Sequence, residues 1–292
     1  MSTVLFYLSL PFLYLVSWLP KKPLYLLSDL LFVLLYRVFR YRKSMVTRNL
    51  ENAFPDKTAK EIDKIRVDFY RYLCDLSLEV IKTLSISPAG VRDYFVIEDG
   101  DLAPIERYYE EKQSIILVLG HMGNWELTGA MFCQLGLHQL YVIYHPLANR
   151  HFDDLFTRMR TRSGIRLYPM KKALKGMIRD RDQLTVTAFI ADQTPRPDNA
   201  HWMTFLNQDT PVFRGTENIS KMLGYPVVYA SVIRQKRGLY RLRTELLFEH
   251  PKQCAENEIT ELHTRRLERD IVQQPETWLW SHRRWKHKRP EK

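Results

Sequence analysis

Cysteine is scarce in this chain and forms no pattern. Cys74, Cys133 and Cys254 are three in 292 residues, scattered and odd in number. They exclude a disulfide framework and fit a reducing compartment or plain packing. No His-x3-His or comparable ligand set exists, which argues against a metallohydrolase and gives no reason to expect a metal or other cofactor. Zinc-finger spacing, RNP-like motifs and basic heptads are missing too, so no nucleic-acid partner is expected despite the positive charge. There is no internal repeat and no low-complexity segment. A cleavable signal is lacking: no basic residue precedes the first apolar run and no small-x-small site follows it. No apolar run reaches the roughly 20 residues of a perpendicular membrane span.

What is present is a basic, hydrophobic-rich chain. Lys and Arg number 44 against 33 Asp and Glu, a formal +11, and 45% of residues are hydrophobic. The length suits one large α/β domain or two small ones, and the charge favours an acidic protein or an anionic membrane as partner. Residues 4–19 carry no charge, and 24–39 are interrupted only by Asp29 and Arg37. Trp18, Lys21 and Lys22 suit a membrane interface, and Arg37, Arg40, Arg42, Lys43 and Arg48 form a basic collar after it. Residues 1–45 are therefore expected to be an uncleaved membrane anchor, either one short spanning helix or two helices lying in one leaflet. The bland alternative is a soluble helical hairpin packed on the rest. The collar places residues 46–292 on the cytoplasmic side.

The remainder alternates. Ile62, Ile65, Phe69, Tyr72, Leu73, Leu76, Val80 and Ile81 recur at helical spacing across 58–84. From residue 114 the apolar runs 114–119, 140–144, 185–190 and 226–233 read as strands. Helical patterns near 124–136, 151–163, 171–181 and 214–223 lie between them. Tyr240 to Phe248 alternates and is expected to be an antiparallel edge strand. Residues 255–273 predict a charged helix before Pro275. This rhythm predicts an α/β fold: a mostly parallel sheet flanked by helices. The Pro-containing stretch 194–201 reads as an active-site loop.

The most informative stretch is residues 115–126, Ile-Ile-Leu-Val-Leu-Gly-His-Met-Gly-Asn-Trp-Glu. A β-rich run ends at Gly120 and delivers His121 to the start of a helix, with Glu126 following. Imidazole is the side chain whose ordinary pKa lies near neutral pH. A carboxylate on one ring nitrogen would fix the tautomer and leave the other free to take a proton from a hydroxyl. On one continuous helix residues five apart lie about 140° apart. His121 and Glu126 can meet only if His121 sits on the turn before the helix, which Gly120 and Gly123 allow and Asn124 could cap.

These residues resemble the first block of the lysophospholipid acyltransferase superfamily. The Gly-Asn-Trp-Glu form resembles its lipid A late-acyltransferase branch, the lauroyl and myristoyl transferases. Tyr144-His145-Pro146-Leu147-Ala148-Asn149 is similar to that branch's Tyr-Arg-Pro-x-x-Asn, with His145 in place of the arginine. Arg160-x-Arg162-x-Gly164 and the segment from Lys172 to Ile178 resemble the blocks that follow. Ala191-Asp192-Gln193 matches an Asp-Gln block after the next strand, and Pro275 to Trp285 is similar to a C-terminal signature.

The resemblance implies a glycerolipid-acyltransferase-like fold. It also implies transfer of an acyl chain from acyl-carrier protein, or acyl-CoA, to a hydroxyl of an anionic membrane glycolipid at the cytoplasmic face of the inner membrane. A lipid A precursor is the first acceptor; a lysophospholipid, a mannosylated phosphoinositide or an amino-acid lipid are others. A non-enzymatic lipid-binding protein is the rival from another class. On this reading His121 is the general base and Glu126 orients it. Backbone N–H groups near Gly123 and Asn124 are candidates for the developing oxyanion. Arg160 and Arg162 suit the acceptor's phosphate or that oxyanion. Asn124, Asn149, Asp192 and Gln193 complete the substrate-binding set. Asp192 and Gln193 close an apolar strand, where open α/β sheets bind ligands.

Overall fold

Why the chain folds as it does is clearest at its middle strand. In the computed structural model, which describes residues 3–290, Ile115–Leu119 is buried at every position. Its alternate side chains face opposite helical layers: Leu117 and Leu119 join one apolar cluster, Val118 another. A strand buried on both faces is a continuous apolar run, as parallel sheets require.

In chain order the elements are α1 (Thr3–Trp18), α2 (Lys21–Phe32, continued by a π-helical run Val33–Val38), α3 (Lys43–Ala53), α4 (Ala59–Lys82), α5 (Pro88–Arg92), β1 (Phe95–Val96) and α6 (Ala103–Glu110). Then come β2 (Ile115–Leu119), α7 (Trp125–Cys133), β3 (Gln139–Tyr144), α8 (Arg150–Arg162), β4 (Arg166–Pro169), α9 (Ala173–Arg179) and β5 (Thr185–Ile190). A hairpin β6 (His201–Phe205) and β7 (Gln208–Val212) precedes α10 (Gly215–Leu223), β8 (Val227–Lys236), β9 (Leu239–Phe248) and α11 (Glu258–Gln273). The seven-stranded sheet has the order β1-β9-β8-β2-β5-β3-β4. Every pairing in it is parallel except β8 with β9. The expected α/β sheet is thus formed. The strand 240–248 is antiparallel as expected but does not lie at the edge, because β1 pairs outside it. Two residues were too short a run to read as a strand.

Residues 3–38 form a helical hairpin laid on α4. Val16, Leu24 and Leu78 are buried together. Polar ties fix the register. Ser28 donates to Asp75 at 2.6 Å, and Arg237 bridges Asp29 and Asp75 at 2.8 and 2.7 Å. The outer face is apolar: Leu8, Phe12, Leu15, Trp18, Leu26 and Leu30 are all exposed. Among the described residues no helix is long and apolar enough to cross a membrane. The first apolar run makes a helix of 16 residues, and the second helix starts after Pro20. The division at residue 45 falls inside α3. Residues 1, 2, 291 and 292 lie outside the described chain; the first two belong to the expected anchor and the last two to the C-terminal basic segment 283–292, which holds six Lys or Arg.

One carboxyl group ties this hairpin to the sheet. Glu79 of α4 is fully buried and accepts from Tyr25 of α2, Asn124 before α7 and Tyr240 of β9, each at 2.7 Å. Burial pushes its pKa above the ordinary carboxylate value, against the three hydrogen bonds that favour the charged form. We expect Glu79→Ala to strand three donors, each costing about 1–3 kcal/mol when buried and unpaired, and to lower the midpoint of chemical unfolding accordingly. A raised native pKa contributes stability below the unfolded value and loses it as pH rises through the native one. The parent should therefore lose stability with rising pH more steeply than Glu79→Gln, read from unfolding curves on a pH series.

Candidate active site

The site lies at the carboxyl ends of neighbouring parallel strands, β2 and β5. Gly120 ends β2 in a place no side chain fits. A Cβ there would lie 2.6 Å from Leu267 and 3.3 Å from an Asp192 oxygen. That close approach lets the His121 backbone N–H donate to Asp192 Oδ2 at 2.8 Å. Gly123 completes the turn at φ +59°, where a Cβ would lie 2.3 Å from the Val232 carbonyl oxygen. Asn124 then caps α7, accepting from the Leu127 N–H at 3.0 Å.

His121 is on the turn, as its spacing from Glu126 required, but the acid on its ring is a different one. Nδ1 of His121 lies 2.6 Å from Asp192 Oδ1. Nδ1–H donates to the carboxylate, and Nε2 is the ring nitrogen that remains for another partner. Glu126, expected to orient the ring, is instead paired with Arg160 of α8, whose guanidinium donates to both its oxygens, Nε at 3.0 Å. The physical reason is geometric. Asp192 already fills Nδ1, and Glu126 in the first turn of α7 meets a planar fork that matches a carboxylate in two places.

Asp192 accepts a third hydrogen bond from the indole Nε1 of Trp278, 2.8 Å away. The segment carrying that indole is held by a bridge between Met122 and Trp278. Burial alone would raise the Asp192 carboxyl. The His121 ring, the His121 N–H and the Trp278 N–H outweigh burial and hold it at about 2. Gln193, the next residue, places its amide nitrogen 3.4 Å from His121 Nε2.

A cavity of about 710 Å³ opens beside Nε2. Its walls are apolar deep inside (Leu117, Phe132, Leu140, Ala188, Leu242) and polar near the ring (Glu126, Tyr144, His145, Arg160, Gln193). The size and the apolar lining with a few converging polar groups are those of a ligand site.

The other expected binding residues separate into two groups. Asp192, Gln193 and Arg160 converge on His121 or its cavity. Asn124 is fully buried and spent on its cap and on Glu79. Asn149 caps α8, accepting from the N–H groups of His151 and Phe152. Arg162 turns away from the cavity to donate to the carbonyls of Thr83 and Ile86. These three are scaffold in the geometry seen, since small amides at helix starts and a last-turn arginine satisfy orphan backbone groups. The Gly123 N–H is likewise engaged, donating to Thr277 at 3.2 Å. Trp278 is the site residue that the sequence did not single out: it lies in the Pro275–Trp285 block, and nothing in its spacing says which acid its indole meets. Among the described residues no cluster of metal-ligating side chains occurs.

The sequence profile described as bacterial lipid A biosynthesis acyltransferase matches residues 1–287. The chain belongs to this family. It is 25% identical over 249 residues to the lipid A biosynthesis palmitoleoyltransferase of Escherichia coli K12, covering 84% of this chain and 79% of that one. It is 26% identical over 292 residues to the lipid A biosynthesis lauroyltransferase of the same organism, covering 98% and 92%. A lipid A biosynthesis acyltransferase of Shigella flexneri is 25% identical over 249 residues. The protein is thus an acyltransferase, and the cavity beside His121 is its candidate active site.

The Asp192 arrangement has a signature in stability. A native pKa of about 2 against 3.8 for the free group adds stability above the unfolded value, and that stability is lost as pH falls towards 2. The Asp192→Asn acyltransferase should therefore melt below the parent near neutral pH, with the gap closing as pH drops below about 4. Differential scanning fluorimetry across pH 3–8 reads this directly.

Proposed function

We propose that the chain transfers a fatty acyl group from acyl-carrier protein to a hydroxyl of a lipid A precursor, with His121 as general base. The observation that carries the reading is the His121–Asp192 hydrogen bond, which engages Nδ1 and leaves Nε2 as the ring nitrogen at the cavity. The acceptor hydroxyl gives its proton to Nε2 as its oxygen attacks the thioester carbon. Asp192 stabilises the imidazolium that forms. The tetrahedral intermediate collapses, the carbon–sulfur bond breaks, and the imidazolium returns the proton to the leaving thiolate. The Gln193 amide stands beside Nε2 as a donor for the transient oxyanion. The deep apolar wall suits the acyl chain, and the polar mouth around Arg160 and His145 suits an anionic head group.

Placement at a membrane rests on the hairpin's outer face. Its exposed apolar side chains recur at three- and four-residue intervals, Leu8, Phe12 and Leu15 on α1 and Leu26 and Leu30 on α2, the pattern of helices that lie in a leaflet. The same helices adjoin the site: Phe6 of α1 stacks on His151 at 5.2 Å and meets Phe152 edge-on at 4.9 Å, both on the cavity-lining helix α8. We place the protein on the cytoplasmic face of the inner membrane, drawing its acceptor from the leaflet. The basic collar and the C-terminal basic segment meet, through Arg42 donating to the Ser281 carbonyl at 2.7 Å. That joint basic surface suits an acidic carrier protein.

His121→Ala should lower turnover about 10²–10⁴-fold, the usual contribution of a positioned base, in a chain that still folds but melts somewhat lower because Asp192 loses its ring partner. Lipid A from cells carrying only this variant should lack one acyl chain by mass spectrometry. Activity within a few-fold of the parent would overturn the assignment.

Carrier docking predicts a salt dependence. The apparent KM for acyl-carrier protein should rise between about 0.05 and 0.5 M salt as screening shortens the reach of the basic surface, while acyl-CoA responds less. Equal slopes for the two donors would assign the surface to anionic lipid instead.

A further inference from the structure

Behind the His121–Asp192 pair lies a cation that nothing above uses. Arg284 is 1% exposed, among the largest fully buried side chains. Its Nε and Nη1 have no hydrogen-bond partner among the described residues, and no carboxylate there forms a salt bridge with it. Its guanidinium lies over the Phe205 ring, 5.9 Å from the centroid. With Asp192, His263, Tyr229 and Leu267 it lines a small void of about 10 Å³, about the room of a single water. The segment is not loosely placed: the Thr194 hydroxyl donates to the Arg284 carbonyl at 2.9 Å.

A buried charge is expensive unless something of opposite sign compensates it. The acid across the void is Asp192. Burial pulls the Arg284 pKa down to about 10 and the attraction of Asp192 opposes that, so the group stays charged at neutral pH. The other titratable groups facing the pair add little charge there. His263 on α11 and His282 on the C-terminal segment, with Lys286 behind it, are both pushed down to about 4, chiefly by burial, and burial raises Tyr229 on β8 well above its ordinary value. Glu126 and Arg160, on the cavity side, neutralise each other.

We propose that Arg284 is the buried counter-charge of the His121–Asp192 pair, a positioning residue that acts through Asp192. Across the void it favours the ionised carboxylate and opposes an extra proton on the pair, so that Nε2 is available as a base at lower pH than the carboxylate alone would allow. This rests on His121 acting as base.

Two measurements test it. In Arg284→Met the acid limb of the kcat/KM profile should move to higher pH by about one unit, the size expected when a charge several ångströms away is removed at an intermediate effective dielectric, while Arg284→Lys keeps the limb in place. A lowered plateau with an unmoved limb would make Arg284 mere packing and overturn the proposal. The second is a melting cycle, which needs no acyl transfer and so stands apart from the catalytic reading. Asp192→Asn leaves the cation unbalanced, so adding Arg284→Met to it should raise the melting temperature above that of Asp192→Asn alone, even if Arg284→Met by itself folds poorly. Losses that simply add would overturn the coupling.

Discussion

The Asp192 carboxylate joins three parts of the chain that are far apart in sequence. One oxygen holds the His121 ring; the other takes the His121 N–H and the Trp278 indole. The end of β5, the turn after β2 and the C-terminal segment are thereby fixed relative to one another by charge-assisted hydrogen bonds in a dry site, where such bonds are strongest. The orientation of the ring, and which of its nitrogens is left at the cavity, follow from this contact.

Much of this was legible in the sequence. Alternating apolar runs and helical patterns gave the sheet strands β2, β3, β5 and β8, because segments buried on both faces must be continuously apolar. The turn at Gly120 and Gly123 was legible because glycine permits it, and a Cβ at either would meet Leu267 or Val232. What was not legible was the pairing. Glu126 is near His121 in sequence, Asp192 is near it in space, and spacing along a chain cannot report which of two carboxylates a parallel neighbour strand will supply. The β2–β5 register, with Leu119 opposite Ile190, decides that.

The binding residues show the same limit from the other side. Asn124, Asn149 and Arg162 sit in the blocks that resemble the family, yet their side chains satisfy helix ends and loop carbonyls. Motif blocks collect whatever a site depends on, and that includes the caps that aim its helices. Arg160 differs because the Glu126 carboxylate keeps it at the cavity wall, where a polar head group would meet the pair together.

The C-terminal segment has a consequence in time. A ribosome delivers α1 and α2 first and Trp278 and Arg284 hundreds of residues later, and domains form as they emerge. The hairpin is therefore made, and Asp192 after it, while the carboxylate still lacks its indole partner. The turn bearing His121 also then lacks the strand-like bridge from Met122 to Trp278. Until the segment through Trp278 has been made, the carboxylate lacks one of its three donors and the turn its bridge, so the His121 pocket takes the arrangement described only once nearly the whole chain exists.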